Sequence, residues 1–177
     1  MKNIVYFDLE TQKSAEEVGG WEHISRMRMS VGVTYSAAQG GYKIYGEKQA
    51  SELINDLQRA RLVVGFNILR FDYEVLHGYT SFDLRQLPTL DMMVKLADTL
   101  RHRLSLDAIA TATFGLEKTA EGMQAIQWYR EGKLLQIAEY CCYDVKLTRL
   151  VHEYGLRHHQ LHYHNRLGKK LTVPVNW

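Results

Sequence analysis

Short apolar runs alternate along this chain with longer segments of helical period. Residues 3–9 hold Ile4, Val5, Tyr6, Phe7 and Leu9 in a compact run that predicts a buried strand. Residues 11–28 are polar around Gly19-Gly20-Trp21 and predict a long loop or a short helix, a kind of connection that often carries function. Residues 29–37 alternate as a strand. Gly40-Gly41 then marks a turn, and Tyr42 to Tyr45 a second strand, giving a hairpin. Leu53, Ile54 and Leu57 give residues 50–59 a helical spacing, and Leu62 to Phe66 predict another buried strand. A helix starts at Phe71 and runs to His77. Leu90-Asp91 marks a strand end, with Asp91 in a structural role, and the helical pattern runs from Leu90 to Leu100. Ser105 can cap a helix that runs through Thr113 and stops at Gly115. Residues 122–130 and 134–154 predict further helices, the last stopping at Gly155. A histidine-rich segment follows, then a turn at Leu167-Gly168-Lys169 and the apolar run 171–175. An early hairpin followed by alternating strands and helices predicts an α/β fold, a mixed central sheet flanked by helices.

Composition narrows the picture only a little. The chain has 177 residues, the size of one domain with a substantial core, so residues 1–177 are expected to form a single domain. Its net charge of +2 supplies no strong global field toward nucleic acid or membranes, so any basic surface is local. No stretch approaches the ~20 apolar residues of a membrane span. Lys2 is followed by too few apolar residues before Asp8 for a signal peptide. Cys141 and Cys142 are adjacent, a spacing that rarely meets disulfide geometry and that fits a reducing compartment. A cytoplasmic location with no membrane attachment is expected. Two prolines and no Ser/Gly-rich tract leave no evident linker, and no internal repeat is visible.

Candidate chemistry comes from acidic residues that interrupt apolar segments. Asp8 and Glu10 close the first run, Asp72 follows Val63 to Phe71, and Asp144 lies in the helical Tyr140-Cys141-Cys142-Tyr143-Asp144. Carboxylates in such places are costly unless paired or bound to a cation. Asp8 and Glu10 are two apart, so on a strand they share a face. Their mutual repulsion would force a proton onto one of them unless a cation intervened. Mg²⁺ or Mn²⁺ does this with oxygen ligands alone. Two such ions about 3.5–4 Å apart can activate a water and stabilise the leaving oxygen of a phosphoryl ester. Tyr140 and Asp144 are four apart and face one side of their helix, where a phenol could orient that water. Each residue alone has a plain alternative: a solvated strand end for Asp8 and Glu10, a helix-start charge for Asp72, a core aromatic for Tyr140.

The ordered set resembles a known family. Phe7-Asp8-Leu9-Glu10-Thr11 resembles the first exonuclease motif of the DEDD superfamily. Asn67-x-x-x-Phe71-Asp72-x-x-x-Leu76 resembles the second, in the form used by proofreading domains of family B DNA polymerases. Tyr140-x-x-x-Asp144 resembles the third, in its tyrosine (DEDDy) variant. The likeness spans residues 4–150. Ser105-Leu106-Asp107-Ala108-Ile109 is similar to an element that touches single-stranded DNA in those polymerases. Phe114 to Thr119 and Trp128 to Leu150 resemble stand-alone or helicase-associated exonuclease-like domains.

The resemblance implies an RNase H-like fold and metal-dependent 3′→5′ hydrolysis of phosphodiesters, releasing nucleoside 5′-monophosphates. It implies two divalent cations, Mg²⁺ or Mn²⁺. Asp8, Glu10 and Asp144 would bind one, and Asp8 would bridge to a second near Asp72. Tyr140 would orient the nucleophile. Thr11, Asn67 and Phe71 would contact the terminal nucleotides, with Phe71 stacking or wedging against a base, a contact worth roughly 1–3 kcal/mol. Ser105 and Leu106 would support the strand. The expected partner is the 3′ end of single-stranded nucleic acid, DNA favoured over RNA, with a helicase or polymerase as a partner in trans. No polymerase-like segment accompanies the motifs, so proofreading in cis is not expected. Tyr143 competes with Tyr140 as the aromatic, but only Tyr140 shares a helical face with Asp144.

Two alternatives stand beside this expectation: an RNA-trimming exonuclease of the same superfamily, and a nuclease-like module that binds a strand or a protein and cuts little. Trp21 is either a loop anchor or a stacking surface. Arg26, Arg28, Arg70, Arg101, Arg103 and Lys118 are candidates for a phosphate track, Arg70 and Arg103 foremost. His158, His159, His162 and His164 could hold Zn²⁺ or Ni²⁺, although no thiolate is near them in sequence.

Overall fold

The computed structural model describes residues 3–116 and 122–177. Five strands form the frame: β1 (Ile4–Thr11), β2 (Met29–Ser36), β3 (Gly41–Gly46), β4 (Leu62–Gly65) and β5 (Thr89–Asp91), in the order β3-β2-β1-β4-β5. The β1, β2 and β3 neighbours pair antiparallel, whereas β1, β4 and β5 run parallel. β1 is central and covered on both faces, which is why its sequence is a nearly continuous apolar run. Val5, Phe7 and Leu9 turn into one core and Tyr6 into the other, as the two-residue strand period requires. Asp8 and Glu10 share the parity of Tyr6 and leave the strand on its side.

The first core is closed by α1 (Ala50–Gln58) and α2 (Asp72–Leu76), through Leu53, Ile54 and Leu57 of the one and Tyr73, Val75 and Leu76 of the other. Gly32 on β2 admits α1 to the sheet: a Cβ there would lie 2.7 Å from Leu53 Cδ2. The second core is covered by α3 (Met92–Leu100), α4 (Leu106–Phe114), α5 (Gly122–Arg130) and α6 (Leu134–His158). A two-stranded hairpin of β6 (Gln160–His164) and β7 (Lys170–Pro174) completes it, with Leu161, Tyr163 and Val173 turned inward.

The sequence expectations meet this architecture with three differences. The polar connection after β1 holds two short 3₁₀ turns, Glu16–Val18 and Trp21–Arg26, rather than a loop or one helix. The last helix does not stop at Gly155. It continues to His158, and His159 ends it in the left-handed region at φ 54°. Gly155 instead serves a close approach, since a Cβ there would lie 2.6 Å from Trp177 Nε1. The histidine-rich tail is a strand whose alternation puts His162 and His164 outward and Leu161 and Tyr163 inward. Among the described residues no helix is long and apolar enough to cross a membrane. Glu117, Lys118 and Thr119 lie outside the described residues.

Candidate active site

Three elements converge where β1 extends past its pairing with β4. β1 delivers Asp8 and Glu10, α6 delivers Tyr140, Cys141 and Asp144, and α2 begins with Asp72. One carboxylate oxygen from each of Asp8, Glu10 and Asp144 lies within 4.8 Å of the other two, the one such group of three or more metal-ligating side chains among the described residues. Asp72 stands beside this trio rather than in it. β4 pairs with β1 only over Ile4, Val5 and Tyr6, so further along β1 that side lacks a strand. Asp72 Oδ1 supplies the missing acceptor, taking the Leu9 amide at 3.0 Å.

The electrostatics follow from burial and crowding. Burial pushes Asp8 well above the usual carboxylate range, and the charges of Asp72, Asp144 and Glu10 push it further. Glu10 is raised by burial and then by Asp144 and Asp72. Burial lifts Asp72 to about 8 against the opposing hydrogen bond from Leu9, and lifts Asp144 to about 7, with the nearby Asp107 adding to it. The Tyr140 hydroxyl acts the other way on Asp144, favouring its charged form as a hydrogen-bond donor. The Tyr140 phenol is itself held far above its ordinary range by burial and the surrounding carboxylates. Among the described residues no cationic side chain offsets these charges. An all-oxygen donor set of this kind fits a hard divalent cation, which would take the place of the protons.

A groove of about 770 Å³ opens from the cluster. Glu10, Asp107 and Tyr140 line it together with Thr11, Trp21, Phe71 and Met123. Trp21 meets Phe71 edge to face at 6.3 Å and is 66 % exposed, so its ring is offered to solvent rather than used as a loop anchor. Trp128 meets Tyr140 edge-on at 6.2 Å and fixes the phenol from behind.

The other candidate residues have varied surroundings. Thr11 donates its hydroxyl to the Lys13 carbonyl at the groove wall. Asn67 sits in the left-handed region at φ 68°, its amide donating to Asp91 at 2.8 Å, and its side-chain oxygen is buried with no hydrogen-bond partner. Asp91 also accepts from Leu69, Met93 and Val94, so it knits the β4–α2 turn to the start of α3. Ser105 caps α4 by accepting from the Ala108 amide, and Leu106 packs into the second core. Arg28 is engaged with Glu47. Of the histidines, His162 is held by Thr172 and Tyr154, and none joins a metal-ligating group among the described residues.

Two groups at the site are not legible from sequence motifs. Cys141 donates its thiol to Asp8, and Asp107 projects from the first turn of α4 toward Asp144. A helical wheel would have put Cys141 next to the Tyr140–Asp144 face. Nothing local could have placed α4 opposite α6.

The fold and the acidic trio match the expectation of an RNase H-like α/β chain, and the trio fits the DEDD pattern. A solved structure, the family B DNA polymerase from the hyperthermophilic archaeon Pyrobaculum calidifontis, superposes with a TM-score of 0.64 at 14% identity. The similarity covers 88% of this chain and 25% of the polymerase, so the chain spans about a quarter of that protein's length. No curated protein matches the sequence. A family model described as the RNase H superfamily matches residues 5–156, and the chain belongs to that superfamily.

Proposed function

We propose that the chain is a metal-dependent 3′→5′ exonuclease that removes nucleoside 5′-monophosphates from single-stranded nucleic acid, DNA in preference to RNA. Membership in the RNase H superfamily supports phosphodiester hydrolysis in general. The observation that carries the finer reading is the half-buried trio of Asp8, Glu10 and Asp144 at a groove with an exposed aromatic wall.

In this proposal Asp8, Glu10 and Asp144 hold one divalent cation, Mg²⁺ or Mn²⁺, and Asp8 with Asp72 holds a second. Bound there, the ions supply a water activated at neutral pH and positive charge for the leaving oxygen. The remaining work belongs to side chains. Tyr140, held by Asp144 and backed by Trp128, orients the attacking water. Phe71 and Trp21 give the terminal base an apolar face, a sequence-tolerant contact of roughly 1–3 kcal/mol per base. Thr11 lies along the groove beside them, and Asn67, whose buried side-chain oxygen has no partner, would have to turn outward to accept from a nucleotide. Ser105 and Leu106 act indirectly, by fixing the start of α4 and so Asp107. A helicase or polymerase acting in trans would provide the frayed end.

Digestion of 3′- and 5′-labelled single-stranded DNA and RNA with Mn²⁺ tests this. The 5′ label should yield a descending ladder and the 3′ label an immediate mononucleotide, faster on DNA, with no cleavage by Asp8→Ala. Equal cleavage by Asp8→Ala, or products shortened from the 5′ end, would refute it.

A further inference from the structure

A second cleft, of about 510 Å³, lies where the α3–α4 link meets the turn of the β6–β7 hairpin. His102, Arg103 and Leu104 line it from the link, and Tyr163, His164 and Arg166 from the hairpin. Tyr163 is largely buried and meets the His102 ring edge-on at 6.2 Å, so the two walls are held together. No carboxylate among the described residues lines this cleft. Among the described residues neither Arg103 nor Arg166 is in an ion pair, nor are the flanking Arg101, Lys169 and Lys170. Some surface cations elsewhere are paired, as Arg28 with Glu47, Lys43 with Asp56 and Arg130 with Glu17.

A short stretch of chain joins the lining of this cleft to that of the groove. Arg103 stands two residues before Ser105, the cap of α4, and Asp107 in the first turn of that helix lines the groove. One short segment, residues 103–107, therefore has basic groups at one end and the acidic site at the other. A site built of carboxylates repels phosphates, and the net charge of +2 gives no general attraction, so a strand must be gripped by local cations. The hairpin wall lies outside residues 5–156, the span matched by the family model.

We infer that this cleft binds the phosphodiester backbone of single-stranded nucleic acid, Arg103 and Arg166 each taking a phosphate upstream of the end lying in the acidic groove. The placement of that end rests on the exonuclease proposal; the phosphate contacts do not. DNA and RNA share the chemistry, so both serve as probes.

The test uses Asp144→Asn in EDTA, where nothing is cut, with fluorescence anisotropy of labelled oligothymidine and oligouridine across a salt series. Adding Arg103→Ala and Arg166→Ala should weaken binding of long oligomers of either sugar roughly tenfold. It should also flatten the slope of log affinity against log salt by about 1.4, at about 0.7 per phosphate. An oligomer of about four nucleotides, too short to leave the groove, should lose little. Arg103→Lys with Arg166→Lys should keep most of the affinity, and the melting temperature should not move. An unchanged slope, an equal loss on short and long oligomers, or a loss confined to one sugar would overturn the inference. Cleavage by the wild type in Mn²⁺ tests the exonuclease proposal separately, because anisotropy in EDTA decides the cleft whether or not a strand is cut.

Discussion

Cys141 Sγ lies 3.3 Å from Asp8 Oδ2 and 3.4 Å from the Asp8 carbonyl oxygen, so one buried thiol ties a candidate ligand to its own backbone. Burial and the neighbouring carboxylates raise its pKa well above the ordinary thiol range, which keeps it a donor. Loss of a group that orients a ligand typically costs 10–100-fold in metal affinity. Cys141→Ala should weaken Mn²⁺ binding, measured by calorimetry, by about tenfold, the low end of that range because a thiol is a weak donor. Cys141→Ser should lose less. Unchanged affinity in the alanine variant would reduce the thiol to a packing group.

The acidic site should make the metal-free protein less stable as pH rises. Asp144 titrates at about 7 in the fold against an ordinary 3.8, so between those values the folded state holds the extra proton. The stabilisation from that proton is present in full at low pH and is lost as pH rises through about 7. Asp144→Asn, which carries no charge, should therefore melt higher than the wild type at about pH 8 in EDTA, at roughly 2–4 °C per kcal/mol for a chain of this size. Mn²⁺ should raise the melting temperature of the wild type and not of the variant. A metal-free variant that melts lower would contradict this.

His152 should produce the opposite slope. It is 2% exposed and its Nδ1 lies 3.0 Å from the Tyr6 hydroxyl. Burial lowers it from 6.5 to about 4, so the fold holds it neutral. The unfolded chain takes up a proton first as pH falls. The contribution is complete above 6.5 and is lost on the way down to about 4, on the order of 3 kcal/mol in all. The difference between wild type and His152→Gln in urea denaturation isolates this term from the carboxylates. It should shrink across that window. A constant difference would mean that the imidazole takes up its proton equally in the folded and the unfolded chain.

Gly155 and Trp177 should be coupled. A Cβ at 155 would press on the indole at 2.6 Å, and overpacking of this sort costs about 1–3 kcal/mol. Gly155→Ala should destabilise the wild type by that amount. In a Trp177→Ala background the same change should be neutral or stabilising, because alanine is the better helix former by about 1 kcal/mol. A double-mutant cycle reads the coupling directly, and strict additivity would exclude it.

Period and parity made the sheet legible. Val5, Phe7 and Leu9 against Tyr6, Asp8 and Glu10 is a two-residue alternation that assigns faces from residue order alone, and the four-residue step from Tyr140 to Asp144 does the same on a helix. Local signals also placed the cap at Ser105 and the stop at Gly115. What stayed hidden depends on contacts distant in sequence. Gly155 looked like a stop because a glycine at a helix end and one under an indole are identical in one dimension. The hairpin strand β6 was masked by its histidines, which occupy the outward positions of an ordinary alternation. Cys141 was legible only as half of an adjacent cysteine pair, since its role needs Asp8, 133 positions away. Asp107 needs α4 laid across from α6.

The hydrogen bond from the Leu9 amide to Asp72 links stability to heredity. Where β4 falls short, a side chain finishes the ladder, so the residue that ends the sheet also borders the acidic trio. Selection on folding and selection on chemistry act there on one oxygen pair. A descendant of this chain that abandoned hydrolysis could shed Glu10 or Asp144 and gain stability from the relieved repulsion. It could not shed position 72 so freely, because the amide at Leu9 would be left without an acceptor. Degenerate relatives of this chain should therefore lose their acids in order, with Asp72 the last to go.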